Sequence, residues 1–246
     1  MRGLVLAAGR GSRIGPATAG RPKAFLELEG ATLFTRQAAA LSAAGAEEVA
    51  IVTGWSPGHA GATGHPTFHN PSWDVTTMVA SLAAADAWLS SGPVLVCYGD
   101  ILVSAGAARV VAAAQDDIVL GYDPDWFALW SARMDDPLSD AESFRLDASG
   151  AVCDIGRRGI TRDDAQGQYV GLFLLRPPGW RALSALLEQH DPDGTELDVT
   201  GLLRVAIGAG VRISAVAIPG PWCEIDTARD LDVARRVARE LDARPQ

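Results

Sequence analysis

The residues best suited to chemistry lie at three distant places in this 246-residue chain. The first is Leu6-Ala7-Ala8-Gly9-Arg10-Gly11-Ser12-Arg13, with Lys23 ten residues beyond Arg13. Glycines that follow a short apolar run let backbone N–H groups approach an anion without interference from Cβ, so the turn reads as a phosphate cradle. Two familiar phosphate loops are excluded. A dinucleotide fingerprint needs a third glycine where Ile14 stands, and no Gly-Lys-Ser/Thr follows as in a Walker A loop. Lys23 is the sole lysine among 21 basic residues. A chain that writes every other cation as arginine keeps one compact ammonium, a point charge where guanidinium is a planar fork. The second place is Tyr98-Gly99-Asp100 and the third is Trp222-Cys223-Glu224-Ile225-Asp226-Thr227, each an acid at the end of a short extended run. Ligands of α/β sheets bind outside the carboxyl ends of the strands. Asp100 and Asp226, delivered from distant strand ends, would suit Mg²⁺ held against a phosphate. An aspartate in either place would equally serve as a helix N-cap.

Something must bring these places together, and the apolar pattern supplies it. Short apolar runs alternate with amphipathic stretches, which predicts an α/β fold with a mostly parallel sheet flanked by helices. Strands are expected at 3–7, 48–53, 93–98, 117–122, 169–175 and 212–218. Helices are expected at 33–44, 76–90, 105–114, 178–189, 199–209 and 227–241, with Asp198 capping the fifth and Asp226 or Thr227 the sixth. Residues 54–72, rich in Gly, Pro and His, read as a loop with one short strand near 67–69. Residues 126–158 break the alternation. Strand-like pieces at 128–134, 143–146 and 152–155, with Ala148-Ser149-Gly150 as a turn, predict a β-ribbon inserted into a single domain spanning 1–246.

Composition narrows the function classes. A chain that is 48% hydrophobic is not disordered, and no apolar run approaches the roughly 20 residues of a membrane span. Residues 1–9 read as a first strand rather than a secretory leader. A net charge of −9 argues against a nucleic-acid partner. It also means that an anionic substrate would need local positive charge, again pointing to a divalent ion. Cys97, Cys153 and Cys223 are odd in number and form no CxxC pair, so reduced thiols in the cytoplasm are expected. His59, His65 and His69 share one loop. A zinc site usually has four ligands and no cysteine joins them, so they read as solvated loop histidines. No Ser or Cys has a recognisable His/Asp partner, which disfavours covalent catalysis.

Residues 4–28 as a whole resemble the signature of the nucleotidylyltransferase superfamily, the GT-A-like pyrophosphorylases that transfer a nucleoside monophosphate from its triphosphate. The resemblance implies a GT-A-like, Rossmann-like fold. It further implies that Leu6, Ala7, Ala8, Gly9 and Gly11 wrap the nucleotide, that Arg13 and Lys23 hold the triphosphate charges and carry catalysis, and that Asp100 and Asp226 bind Mg²⁺. A second stretch, Asn70-Pro71-x-Trp73-Asp74-Val75-Thr76-Thr77-Met78-Val79-Ala80-Ser81-Leu82, is similar to the N-x-x-W-x-x-T-N-M-x-x-S-L segment of phosphocholine cytidylyltransferases and their phosphonate-using relatives. Thr77 stands here in place of the usual Asn. This similarity implies nucleotide contacts at Trp73, Thr76, Thr77 and Ser81. It continues through Trp126, Trp130, Arg133, Pro137-Leu138-x-Asp140-Ala141-Glu142-x-Phe144, Asp154-Ile155-Gly156, Gln168-Tyr169-Val170-Gly171-Leu172 and Asp198-Val199-Thr200.

What the resemblance implies is transfer of CMP from CTP to a small phosphorylated or phosphonate acceptor, such as phosphocholine, 2-aminoethylphosphonate or a hydroxyalkylphosphonate, with release of pyrophosphate and no membrane partner. In the insertion, the π faces of Trp126, Trp130, Tyr169 and Trp222 would attract an ammonium, and Glu142 would add a carboxylate. Arg133, Arg157 or Arg158 would take the acceptor's phosphate or phosphonate through paired hydrogen bonds. The same tryptophans would also serve as the core of a ribbon. The exposed ribbon is the surface on which a homodimer would form. Two other readings stand beside this one. A sugar-1-phosphate nucleotidylyltransferase would want a polar, hydrogen-bonding acceptor pocket, and a non-catalytic nucleotide-sensing module would have no use for Lys23, Asp100 and Asp226 together.

Overall fold

Strand β1 (Arg2–Ala7) is fully covered from Leu4 to Leu6, as a central strand must be when helices cover both sheet faces. In a computed structural model that describes residues 1–18 and 20–243, β1 lies in the middle of a seven-stranded sheet. It pairs in parallel with β2 (Val49–Thr53) on one side and β4 (Val94–Tyr98) on the other, and β3 (Thr67–His69) extends the sheet beyond β2. Past β4 the direction reverses. Strand β6 (Gln168–Leu175) runs antiparallel to both β4 and β5 (Ile118–Asp123), and β5 pairs in parallel with β7 (Ser214–Ala217) at the far edge. The order is therefore β7-β5-β6-β4-β1-β2-β3, the mostly parallel mixed sheet that the alternating pattern predicts.

Helices α1 (Leu33–Ala43) and α3 (Ala105–Ala113) cover one face through Phe34, Leu41, Ala107 and Val111, against Val5 and Leu95. Helices α2 (Met78–Ala83), α5 (Pro177–His190) and α6 (Val199–Gly208) cover the other, placing Leu82, Trp180 and Leu203 over Leu4, Leu6 and Val96. Thr32, Ser104 and Asp198 accept hydrogen bonds from the first-turn N–H groups of α1, α3 and α6, fixing where each begins. Among the described residues no helix is long and apolar enough to cross a membrane.

Three expectations are corrected. Residues 128–134 are not a strand but most of helix α4 (Trp126–Arg133). Its buried residues Trp126, Trp130 and Arg133 fall at helical spacing, and Ala128, Leu129 and Ala132 favour helix over strand. The inserted ribbon is thus only the antiparallel pair Phe144–Leu146 and Val152–Ile155 around the 148–150 turn. The helix expected at 76–90 is divided into α2 and Asp86–Leu89, where Asp86 turns to accept a hydrogen bond from Trp180 Nε1 (2.7 Å). Helix α7 (Asp230–Asp242) begins three residues later than expected, and neither Asp226 nor Thr227 caps it. Asp230 instead folds back to accept from the backbone N–H groups of both.

The sheet brings the first two chemical segments into contact through Gly99. Its N–H donates to Leu6 O (2.8 Å), and a Cβ on it would lie 2.4 Å from that same oxygen. Gly11 makes the second close approach. It sits at φ +70°, where a Cβ would meet Lys23 Cβ at 2.9 Å. Gly99→Ala should therefore push the Asp100 turn off the end of β1. A loss of about 1–3 kcal/mol in urea unfolding is expected, with a native far-UV circular dichroism spectrum.

Candidate active site

The carboxyl end of β1, the turn after β4 and the segment before α7 converge on a cleft of about 240 Å³ lined by Gly9, Gly11, Arg13, Lys23, Asp100 and Asp226. Lys23 Nζ donates to Asp100 Oδ2 (3.1 Å) and Asp226 Oδ1 (2.8 Å), and Arg13 donates to the same Asp226 oxygen (3.0 Å). Residues 77 and 203 positions apart from Lys23 thus share one ammonium. Leu6 and Ala7 line the same cleft. Ala8 lies just beside it, its carbonyl accepting from Trp55 N.

Glu224 joins the two aspartates. Oxygens of Asp100, Glu224 and Asp226 all lie within 4.8 Å of one another, the only such group of acids, histidines or cysteines among the described residues. Glu224 was not singled out from the sequence, although the signal was there. The short strand Trp222–Glu224 leads directly to Asp226, and residues two apart on an extended segment share a face. An all-oxygen set of three carboxylates fits a hard divalent cation. Asp100 Oδ1 strengthens the fit, being buried with no hydrogen-bond partner.

The charges respond to this crowding. Burial pulls the Lys23 ammonium down, but Asp100 and Asp226 more than compensate and hold it above the ordinary lysine value. Burial would raise Asp226, yet Lys23 and Arg13 hold its carboxyl below the usual range. Glu224 goes the other way, pushed up to about 8 by burial and by the neighbouring Asp226 and Asp100. The turn that carries Asp100 is pinned by Gln37 of α1, buried, whose amide donates to Tyr98 O (2.9 Å) and Ile101 O (2.7 Å).

A second cleft of about 390 Å³ opens from the first and shares Arg13, Met78, Asp100 and Asp226 with it. Its far wall carries Asp140, Glu142, Asp198 and Arg158, with Tyr98, Tyr169 and Trp130. Of these, Glu142, Tyr169, Trp130 and Arg158 are expected acceptor contacts. Glu142 is set in place by Gln168 of β6, whose side-chain amide donates to Glu142 O and accepts from Glu142 N (3.0 Å). Arg158 approaches Glu142 at 3.5 Å from the solvent side.

The other expected acceptor residues point elsewhere. Trp126 (3% exposed) and Trp222 (5% exposed) are core, their indole N–H groups donating to Ala165 O and Asp123 Oδ2. Arg133 is buried against Glu224 and Asp230, and Arg157 is paired with Asp154 on the surface. Neither guanidinium lines the second cleft. Side-chain type marks these residues as aromatic or basic, but the packing of the elements that carry them decides which way each faces. The 70–81 segment is braced from within. Asn70 Nδ2 donates to the hydroxyls of Thr76 and Ser81, Thr77 caps α2 and donates to Leu197 O, and the Trp73 side chain packs against Gly54 beside Ala8 O. The three loop histidines do not form a cluster. His59 and His65 are half-buried rather than solvated, bonded to Ser56 and Val49 O, while His69 is exposed and contacts Thr53.

The pattern model of the MobA-like NTP transferase domain matches residues 3–192. The chain belongs to that family. This NTP transferase, a nucleotidyltransferase by family, is 28% identical over 251 residues to the CTP:phosphoglutamine cytidylyltransferase of Campylobacter jejuni subsp. jejuni serotype O:2, covering 95% of this chain and 98% of the relative. Its fold is shared with the inositol-1-phosphate CTP transferase from T. maritima (TM-score 0.78, 20% identity, 100% of this chain and 98% of that one). It is shared also with the CTP:phosphocholine cytidylyltransferase from Streptococcus pneumoniae (TM-score 0.75, 16% identity, 96% and 98%).

The NTP transferase's Glu142 gives a test of the second cleft's electrostatics. Burial and then Asp198 raise its carboxyl above the usual value, so the folded state disfavours the charged form. A raised acid stabilises the fold at low pH and costs stability as pH rises past its unfolded value near 4.3. Glu142→Gln should therefore be at least as stable as wild type at pH 7, with any gain vanishing below pH 4, as read from thermal melts across that range.

Proposed function

We propose that this nucleotidyltransferase is an Mg²⁺-dependent cytidylyltransferase that moves CMP from CTP to a small phosphorylated or phosphonate acceptor carrying a cationic nitrogen, with release of pyrophosphate. The observation that carries the acceptor class is the acidic far wall. Asp140, Glu142 and Asp198 outnumber the single cation Arg158 on that wall, and the near end holds Arg13 beside the carboxylates that would take Mg²⁺, so an acceptor with an anionic head and a positive tail matches the cleft end to end. CTP is supported by the relative and the structural neighbours named as CTP enzymes.

The reaction follows from the near end. An acceptor oxygen bonds to the α-phosphorus while the bond from that phosphorus to the bridging oxygen breaks, and the electron pair leaves with pyrophosphate. A phosphate monoester with a second pKa near 6 is already largely ionised at pH 7, so no general base is required. What remains is alignment and charge neutralisation. Arg13 and Lys23 offset the charge gathering on the leaving group, and the Gly9–Gly11 backbone lets its oxygens approach closely. Asp100, Glu224 and Asp226 would hold Mg²⁺, which when bound adds positive charge beside the α-phosphate.

Lys23→Met should lower pyrophosphate release about 10²–10³-fold while keeping the native circular dichroism spectrum. An acceptor panel tests the substrate. With CTP, phosphocholine or 2-aminoethylphosphonate should release pyrophosphate well above a hydroxyalkylphosphonate. Turnover confined to UTP or dTTP with hexose 1-phosphates would overturn the reading. Glu142→Gln should raise KM for the cationic acceptor about tenfold, one charge-assisted hydrogen bond, and leave KM for CTP unchanged.

A further inference from the structure

Arg133 closes α4 directly behind the carboxylate cluster, and its side chain is 1% exposed. Its Nε donates to Asp230 Oδ1 (3.0 Å), one terminal nitrogen donates to Glu224 Oε2 (3.1 Å), and the other lies 3.8 Å from Asp226 Oδ2. The guanidinium is itself held over the Trp130 ring, 5.0 Å from its centroid. The second oxygen of Asp230 accepts from Asp226 N (2.9 Å), Thr227 N (2.8 Å) and the Thr227 hydroxyl (3.0 Å). One buried fork therefore grips Glu224 by its side chain and Asp226 by its backbone, the latter through Asp230.

The pattern differs from that of Lys23 and Arg13, which meet the acids from within the cleft that would receive the triphosphate. Arg133 lines neither cleft and is out of reach of substrate. Its geometry also needs a guanidinium. A lysine ammonium carries its donors on one nitrogen and cannot span acids that the three nitrogens of a planar fork meet separately.

We infer that Arg133 is a positioning residue that presets the Glu224–Asp226 half of the metal site, so that its two carboxylates meet a divalent cation at a fixed spacing from Asp100. The inference rests on the reading of Asp100, Glu224 and Asp226 as a metal site. Outer partners of metal ligands characteristically change affinity by about 10–100-fold when removed.

The test is calorimetric titration of Mn²⁺ into the nucleotide-free protein, with no turnover involved. Arg133→Lys should keep the native circular dichroism spectrum but bind Mn²⁺ at least about tenfold more weakly. Its lowered kcat should recover as Mg²⁺ is raised, with KM for the acceptor unchanged. Asp230→Asn should weaken Mn²⁺ binding in the same direction. If Arg133→Lys fails to fold, Asp230→Asn decides alone, its loss of affinity supporting the inference and wild-type affinity overturning it. Wild-type Mn²⁺ affinity in a folded Arg133→Lys, or a defect that appears only in acceptor KM, also overturns it. Asp100→Asn separates the two levels. If it leaves Mn²⁺ binding intact the metal site itself is wrong, whereas a defective Asp100→Asn beside a normal Arg133→Lys removes only the positioning role.

Discussion

Like charges at short range set the terms for this molecule. Two carboxylates about 4 Å apart repel by roughly 4 kcal/mol at an effective dielectric near 20, and three meet here. The fold answers from opposite sides. Lys23 bridges Asp100 and Asp226 from the cleft, while Arg133 engages Glu224 and Asp230 from the interior. The rise of Glu224 to about 8, beside a depressed Asp226, shows that compensation is uneven even so. The cluster remains poised to accept more positive charge, which is what a site for a triphosphate and its counter-ion requires.

Holding the acids together places demands on the backbone. Asp100 arrives on a turn that nearly touches β1, which Gly99 alone permits, and Gln37 pins that turn from beneath with two donors. Asp226 arrives on a segment whose N–H groups are gathered by Asp230. This cleft is thus built from strand ends and turns anchored to buried polar groups, so its geometry follows from the packing of the central sheet.

The convergence of Lys23, Asp100 and Asp226 was legible in the sequence because its information is local. Glycine spacing, a lone lysine and an acid closing an extended run each carry their meaning within a few residues, and the sheet that joins them follows from apolar alternation. The second cleft was less legible because there the meaning of a side chain depends on how its element packs. Trp126, Trp130 and Trp222 look the same in the sequence and are all nearly fully buried, yet only the Trp130 ring has an edge on the cleft. Arg133 looks like an anion receptor until α4 turns it inward, and α4 itself was hidden by an apolar run too short to declare its period. Glu224 was overshadowed by the aspartate two residues on.

The clasp of Gln168 on Glu142 has a consequence for how such an enzyme diversifies. Glu142 hangs from β6, the one strand that runs against its neighbours, whereas the glycine turn and Asp100 follow β1 and β4, two parallel strands. On the proposed function, substitutions between the start of the ribbon and β6 would act first on which tail is admitted, and only through the β6–β4 pairing on the turn that carries Asp100. On that reading selectivity and chemistry would hang from neighbouring beams of one frame, and drift in the first would be bounded by what the second tolerates.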